Sequence, residues 1–159
     1  MFTLPQLIDE DLKELDGALA DLLTNSDANC ALLLDKGGFV ITSQGRTDDF
    51  DTTTVGALAA ASFAANMEIA NQVGEATFTN IYQQGNSLSI LVSNVDMHCL
   101  IVVVFKAQTG VGAVKYYAAE TIRRTAAQLK RAGERNPDGG FDLATLNIVD
   151  TDEFFRKKD

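Results

Sequence analysis

A helical segment without any charged side chain is the feature that most constrains the fold. Residues 52–66, TTTVGALAAASFAAN, follow the acid Asp51. A helix at a protein surface normally turns a charged face toward water. Small uncharged side chains instead let another backbone approach closely, and they cost little to desolvate. We therefore expect other protein surfaces to cover more than one side of this helix.

The helix continues to Val73 and divides into three sectors when each residue advances by about 100°. The bulky sector, predicted to lie on a sheet, comprises Val55, Ala59, Phe63, Ala70 and Val73. A second line comprises Leu58, Ala65 and Ile69, and a third comprises Ala57, Ala61, Ala64 and Glu68. Alanine is also the best helix former, which explains the composition but not the missing charges. We therefore predict that the other two sectors meet a second copy of the chain and a different partner.

Periodicity and turn signals predict the order helix, two strands, helix, three strands, helix. Tight hairpin turns are expected at residues 36–38 and 85–86, where glycine permits a positive φ. Residues 97–105 (MHCLIVVVF) are apolar without alternation, which indicates a central strand covered on both faces. Residues 77–83 (TFTNIYQ) form the most polar strand and the predicted edge, which invites pairing between two copies. The last helix is predicted over residues 113–132.

These elements predict one α+β domain over residues 5–132. A polar linker rich in turn-forming residues is predicted at residues 133–140. Residues 141–159 are predicted to form a tail, with enough apolar side chains for a short docking segment or helix. Its predicted docking residues are Phe141, Leu143, Phe154 and Phe155.

Composition and charge exclude several classes of partner. The 159 residues carry a net charge of −9 and a pI near 4.5, so the chain lacks the basic density that nucleic acid or an anionic membrane requires. No apolar run is long enough to span a bilayer, and the acidic N-terminal segment does not resemble a signal peptide. A cytoplasmic location without membrane insertion is therefore expected. Cys30 and Cys99 each lie in an apolar run and are interpreted as reduced core residues.

No motif for catalysis, metal binding or cofactor binding is recognisable. The chain lacks a GxxxxGK[ST] phosphate loop, and residues 110–112 (GVG) are too short for a dinucleotide fingerprint. The one histidine, His98, has no second ligand at a metal-binding spacing, and no serine suits a nucleophile–base pair. We therefore expect no catalytic residue, no metal and no cofactor. Arg46 precedes the charge-free helix, and it would be either a solvated loop residue or an arginine finger offered to a GTPase.

Five stretches in this order carry a resemblance to a known family: ALLLDKGGFVITSQG, DFDTTTVGALAAASFAAN, NQVGEATF, IYQQGNSLSILVSNVDMHCLIVVVF and TGVGAVKYYA. Over residues 5–132 the chain resembles the roadblock family of dynein-light-chain-like proteins, and within it the MglB-like members. The resemblance implies a roadblock-type α/β sandwich, with a five-stranded antiparallel sheet between the charge-free helix and the first and last helices. It also implies a homodimer formed through the second helix and the third strand.

For function, the resemblance implies a regulator that accelerates GTP hydrolysis by a bacterial MglA-like small GTPase in cell polarity or motility, with enrichment at a cell pole. Two protomers would bind one GTPase and reposition its switch residues without inserting a catalytic residue. The tail would contact the GTPase away from its nucleotide. The expected GTPase-contact residues are Ala57, Ala60, Ala61, Ala64 and Glu68, of which Glu68 stands where MglB-like proteins more usually have a small residue. The expected dimer residues are Leu58, Ala65, Ile69, Phe78, Asn80 and Tyr82.

Two other functions stay open on the sequence alone. A roadblock scaffold or adaptor would bind a GTPase or motor component without changing its turnover. A small-ligand sensor would need a cavity with convergent polar groups, and the sequence shows no such set. Turnover with and without the chain separates activator from adaptor, and a thermal shift with candidate ligands identifies a sensor.

Overall fold

The computed structural model describes residues 4–135 and confirms the predicted order of elements. The helices are α1 (Asp9–Ser26), α2 (Thr52–Gln72) and α3 (Val111–Arg135). The strands are β1 (Cys30–Asp35), β2 (Val40–Gly45), β3 (Asn80–Gln84), β4 (Leu88–Asn94) and β5 (Cys99–Lys106). Among the described residues, no helix is both long enough and apolar enough to cross a membrane.

All five strands form one antiparallel sheet in the order β2-β1-β5-β4-β3. The central position of β5 confirms the prediction from its apolar run, since every residue from Cys99 to Phe105 is buried. β3 is an edge strand, as its polar sequence predicts. It begins at Asn80, later than the predicted start at residue 77, because its pairing with β4 begins with Asn80 opposite Ser93.

Side chains alternate between the two faces of the sheet and build a separate apolar layer on each. In β1, Ala31 and Leu33 belong to the layer under α1 and α3, whereas Leu32 and Leu34 belong to the layer under α2. α1 and α3 pack side by side on the first face, and α2 covers the second face alone. This arrangement is the predicted sandwich of two helices against one.

The N-terminus of α2 is capped by Asp51. Its carboxylate accepts hydrogen bonds from the backbone N–H groups of Thr53 (3.0 Å) and Thr54 (3.3 Å) and from the Thr54 hydroxyl (2.6 Å). These bonds, the Thr54 hydroxyl first among them, hold the pKa of Asp51 below its usual value. Asp51, the acid that directly precedes the charge-free helix, is therefore its N-terminal cap, and the three threonines that follow form the first turn.

Two glycines set the distance between α2 and the β1–β2 turn. A Cβ on Gly56 would lie 2.9 Å from the Val40 side chain and 3.2 Å from the Gly38 carbonyl oxygen. Gly38 has a φ of 98°, and a Cβ there would lie 2.9 Å from Ala57 Cα. A larger residue at either position would force the helix away from the turn, so the close packing of α2 requires glycine at both.

A buried carboxylate ties the end of α3 to the start of α1. Asp11 is almost fully buried and accepts hydrogen bonds from Arg135 Nη2 (2.5 Å), Gln128 Nε2 (2.6 Å) and the Ile8 backbone N–H (2.8 Å). Burial by itself would raise the pKa of Asp11, but these bonds outweigh it and hold the pKa below its usual value. We call this set of contacts the Asp11 latch.

The Asp11 latch explains why α3 is longer than its apolar pattern indicates. The sequence predicts a helix over residues 113–132 followed by a linker over residues 133–140, whereas the helix runs to Arg135. Its last turn is stabilised by a contact distant in sequence, which periodicity does not report. Residues 136–140 and the predicted docking residues Phe141, Leu143, Phe154 and Phe155 lie outside the described residues.

We expect Asp11→Asn to lower the free energy of unfolding at neutral pH by about 2 kcal/mol, because charge-assisted hydrogen bonds are lost at a buried site. The folded-state pKa of Asp11 is depressed, so its contribution is complete above the ordinary carboxyl range and is lost as pH falls through the folded value. The difference between the wild type and Asp11→Asn in urea unfolding should therefore shrink as the pH falls below the ordinary carboxyl range.

Asp9→Asn is the matched control for the latch, because Asp9 is an exposed acid in the same helical turn. It should change the free energy of unfolding by less than about 0.5 kcal/mol. Equal effects of the two substitutions would contradict the latch.

Candidate functional site

The outward side of α2 is one continuous exposed face. We call it the α2 face, and it consists of Ala57, Leu58, Ala61, Ala64, Ala65, Glu68 and Ile69. Leu58 is 65% exposed and Ile69 is 52% exposed, which is unusual for large apolar side chains. At about 100° per residue these positions fall within about 140° of the helix surface. The second and third sectors of the sequence pattern are therefore neighbours on one surface.

Two residues of α2 lie elsewhere than the sequence predicts. Ala60, expected to contact a GTPase, is 5% exposed and packs beside Phe63 on the sheet, so it is not part of the α2 face. The physical reason is that Gly56 must face the β1–β2 turn, which rotates the position one helical turn later inward. Val73, predicted to lie on the sheet, is exposed at the C-terminal end of the helix.

Part of the sheet beside α2 is also uncovered. The helix packs mainly over β1, β2 and β5. A groove of about 430 Å³ remains on the β3–β4 side, and we call it the hairpin groove. Its apolar lining includes Phe50, Val55, Leu88, Ile90 and Val104. An uncovered apolar sheet beside a helix face with a single charge is a surface that a protein partner would bury.

The two edges of the sheet differ in how they are protected. The β2 edge is contacted by α1, where the Thr42 hydroxyl donates to Asp16, and the β1–β2 register shifts between Leu33 and Leu34. Covering helices and bulges both discourage pairing at an edge. β3 (NIYQQ) carries no charged side chain and is exposed except at Ile81. Its edge is therefore the one that suits pairing with another strand.

The predicted dimer residues lie on both faces of the sheet. Those of α2 belong to the α2 face, whereas Asn80 and Tyr82 point to the face of α1 and α3. Asn80 accepts a hydrogen bond from the Ser93 hydroxyl (2.6 Å), and the Tyr82 ring stacks on Phe105 with centroids 6.2 Å apart. Phe78 is half-buried and precedes the strand. A partner strand that extends the sheet at β3 would lie beside both groups.

The β1–β2 turn adds two side chains that periodicity does not single out. Phe39 is 76% exposed directly before β2, and the neighbouring Gly38 contacts α2 at Ala57. Lys36 Nζ lies 5.9 Å from the centroid of the Phe63 ring, within the range of a cation–π contact. The available signal was an aromatic residue directly after two glycines, where turn residues are usually small or polar.

The residues considered above for catalysis or metal binding, Arg46 and His98, lie apart from the α2 face. Arg46 lines a shallow cavity with Asp27 and Lys106 near the end of α1. The backbone N–H of His98, in the turn before β5, donates to Asp96 (2.8 Å). Within residues 4–135, no group of three or more His, Cys, Asp or Glu side chains is arranged to hold a metal ion.

Comparisons with known proteins identify the fold. The family model described as Roadblock/LC7 domain matches residues 14–105. MglB from Myxococcus xanthus superposes with a TM-score of 0.75 at 25% sequence identity, over 80% of this chain and 96% of that chain. A structure described as MglB with tetrameric arrangement gives a TM-score of 0.77 at 25% identity, over 83% of this chain and 99% of that chain. The gliding protein MglB from Thermus thermophilus gives 0.74 at 25% identity, over 82% and 99%. Comparison with curated protein sequences gives no match.

Arginine substitutions at two positions of α2 test the placement of the helix. Ala60→Arg is expected to lower the melting temperature by at least about 10 °C or to prevent folding, because it forces a charge into the packed layer. Ala64→Arg places the same side chain on the α2 face and should shift the melting temperature by less than about 3 °C. Circular dichroism melts measure both variants, and equal destabilisation would contradict the placement.

Proposed function

Since the chain belongs to the Roadblock/LC7 domain family, we propose that it is a non-catalytic regulator of an MglA-like small GTPase and acts as a homodimer. The observation that carries this proposal is the α2 face, a helix surface open to solvent whose one charged residue is Glu68, beside an uncovered apolar sheet. Nothing within the described chain covers it. Regulation through contact needs such a surface and no catalytic group of its own.

The proposed homodimer joins two copies through their β3 edges. Antiparallel pairing of these edges would make one continuous sheet and would satisfy the backbone groups of both strands. It would also bring the two α2 helices toward the open part of each sheet, where Leu58, Ala65 and Ile69 would help to bury the hairpin grooves. Asn80 and Tyr82 would lie at the seam on the opposite face. The relative described as MglB with tetrameric arrangement supports self-association of this fold.

The remaining small residues of the α2 face form the proposed contact with the GTPase. Ala57, Ala61 and Ala64 follow one line of the helix, and Glu68 continues it toward the C-terminus. Glu68 is the one charged residue of this line and lies at its C-terminal end. Its carboxylate accepts a hydrogen bond from Gln72 Nε2 (3.0 Å). In the homodimer two such lines would lie near each other, and we propose that two protomers bind one GTPase.

Phe39 extends the proposed contact beyond α2. It is an exposed aromatic side chain on the turn that packs against Ala57. Aromatic residues supply large rigid contact areas and are enriched at the energetic centres of interfaces. We therefore add Phe39 to the proposed GTPase contact.

The proposed mechanism is repositioning of the switch residues that the GTPase itself carries. An arginine finger would have to reach the transferred phosphate. Arg46, the arginine nearest α2 in sequence, lines the cavity near the end of α1, and the α2 face carries no arginine or lysine. A surface without an arginine finger can still bias a switch segment, provided that it contacts one conformation better than the other.

The alternative is a roadblock adaptor that binds a GTPase or motor component without changing its turnover. The same α2 face would serve an adaptor, and the charge of Glu68 is the feature that favours a different partner. For either role we propose a cytoplasmic setting in cell polarity or motility, with enrichment at a cell pole. The description of the Thermus relative as a gliding protein supports motility as the setting.

Ile69→Arg is expected to convert a homodimer to a folded monomer, because it places a charge in the apolar seam between two α2 helices. Analytical ultracentrifugation of the wild type and the variant measures the change. Ala61→Arg, on the line assigned to the GTPase, is the matched control and should leave the dimer intact. A wild-type chain that stays monomeric at tens of micromolar would contradict the dimer model.

Single-turnover GTP hydrolysis by an MglA-like GTPase, titrated with the chain, tests the function. We expect stimulation of at least about tenfold, below the 10³–10⁵ range of arginine-finger activation, that saturates near two protomers per GTPase. Ala64→Arg should abolish both stimulation and binding while the dimer persists. Binding of the wild type without any change in hydrolysis would establish the adaptor instead.

Arg46→Ala tests the absence of an arginine finger in the same hydrolysis assay. The stimulated rate should stay within about twofold of the wild-type value, because Arg46 lies away from the α2 face. A loss of about 10³-fold would identify Arg46 as an arginine finger.

A further inference from the structure

A second groove lies between α2 and the turns that follow β1 and β4. We call it the turn groove, and it has a volume of about 600 Å³. Its walls include Phe63 and Met67 of α2, Lys36 of the β1–β2 turn, and Met97 of the β4–β5 turn. Met97 is 60% exposed, so an apolar side chain is left in water at the rim. The groove is large enough for several apolar side chains of a peptide segment.

Lys36 is the cation of this otherwise mostly apolar groove. Among residues 4–135 it makes no ion pair, and its ammonium lies over the Phe63 ring. Burial lowers the pKa of Lys36, and the nearby Asp96 partly opposes that effect. The Asp96 carboxylate already accepts hydrogen bonds from the backbone N–H groups of His98 and Cys99, each at 2.8 Å. An arriving segment that brings one carboxylate would therefore suit Lys36.

The last described residue lies at the same end of the molecule as the turn groove. Arg135 is held by Asp11 at the start of α1. Shortly before it, a Cβ on Gly133 would lie 3.9 Å from Pro5 Cβ, so the end of α3 runs beside the segment that precedes α1. The chain therefore leaves the described structure next to residues 5–8.

The segment before α1 leads from that point to the groove. Leu4 lines a small cavity together with Lys36 and Met97, and both of these residues also line the turn groove. Residues 4–8 therefore connect the end of α3, at one end of this segment, with the rim of the turn groove at the other. Residues 136–140 contain the same number of residues and reach about 17 Å when extended. Residues 136–140 are therefore long enough to carry residue 141 to the groove.

We propose that residues 141–149 (FDLATLNIV) of the same chain occupy the turn groove. The segment combines several apolar side chains with one charge, Asp142. This matches a mostly apolar groove whose cation is Lys36 and whose acid, Asp96, already accepts two backbone hydrogen bonds. Phe141 would pack against Met67 and Met97, since thioethers contact aromatic rings favourably. Asp142 would pair with Lys36. This proposal concerns contacts within one chain and does not depend on the proposed function, although the groove shares Ala64 with the proposed GTPase contact.

Cysteine cross-linking in the full chain tests the docking. Met97→Cys combined with Ala144→Cys, which keeps Phe141 and Asp142, should form an intramolecular disulfide at least about tenfold faster than Ser87→Cys combined with Ala144→Cys. Ser87 is the matched control, since it is exposed at the opposite end of β4. Burial raises the pKa of Cys30 to about 11 and of Cys99 to about 12, so the native thiols react slowly. Equal rates would overturn the proposal, and so would a disulfide between two chains.

Methyl NMR of methionine in the full chain provides a second test without added cysteines. Met67 and Met97 both line the turn groove, so a docked aromatic ring should shift their methyl signals. Phe141→Ala should move both signals toward their positions in an empty groove. Phe154→Ala, the same change outside the proposed segment, should leave them unchanged. Movement with Phe154→Ala alone, or with neither variant, would overturn the assignment of residues 141–149.

Discussion

The rest of the structure depends on one constraint: two helices cover one face of the sheet around β5, and a single helix covers the other. β5 is buried on both sides, so each face of the sheet needs a helical layer. α1 and α3 together cover one face and are joined at their ends by the Asp11 latch, whereas α2 alone covers the other. A helix is only about 10 Å wide, roughly two strand spacings, so one helix leaves part of a five-stranded sheet exposed. The open surface is a consequence of the helix count.

The small residues of α2 have different explanations on the two sides of the helix. On its inner side, Gly56 and Ala60 are small because the β1–β2 turn and the sheet approach closely. On its outer side, Ala57, Ala61 and Ala64 are small although they are exposed in the described structure. Packing within one chain does not require small uncharged side chains there, and solubility would favour charged ones. Their composition is therefore evidence for a surface outside the protomer.

The parts of the fold that were predictable are those in which one local pattern decides the outcome. The apolar run of β5, the polar sequence of β3 and the two glycine turns indicate the sheet, because burial and turn chemistry act on neighbouring residues. A positive φ occurs in the first turn, at Gly38, but not at Gly85. The end of α3 and the inward position of Ala60 were not predicted. Arg135 is held by Asp11, and Gly56 packs against the β1–β2 turn, and both contacts are between residues distant in sequence. The exposed Phe39 escaped because it lies in a turn, where periodicity does not report exposure, and because the contact of the adjacent Gly38 with Ala57 is distant in sequence.

The sequence by itself determined the order of elements, the central and edge strands, and the uncharged character of α2, since periodicity and residue type report burial directly. Only the tertiary structure decided that two predicted sectors of α2 form one continuous face and that Asn80 and Tyr82 lie on the other side of the sheet. It also decided which edge is open and that the end of α3 lies beside the segment that precedes α1. These facts depend on helix rotation and strand register, which long-range contacts set.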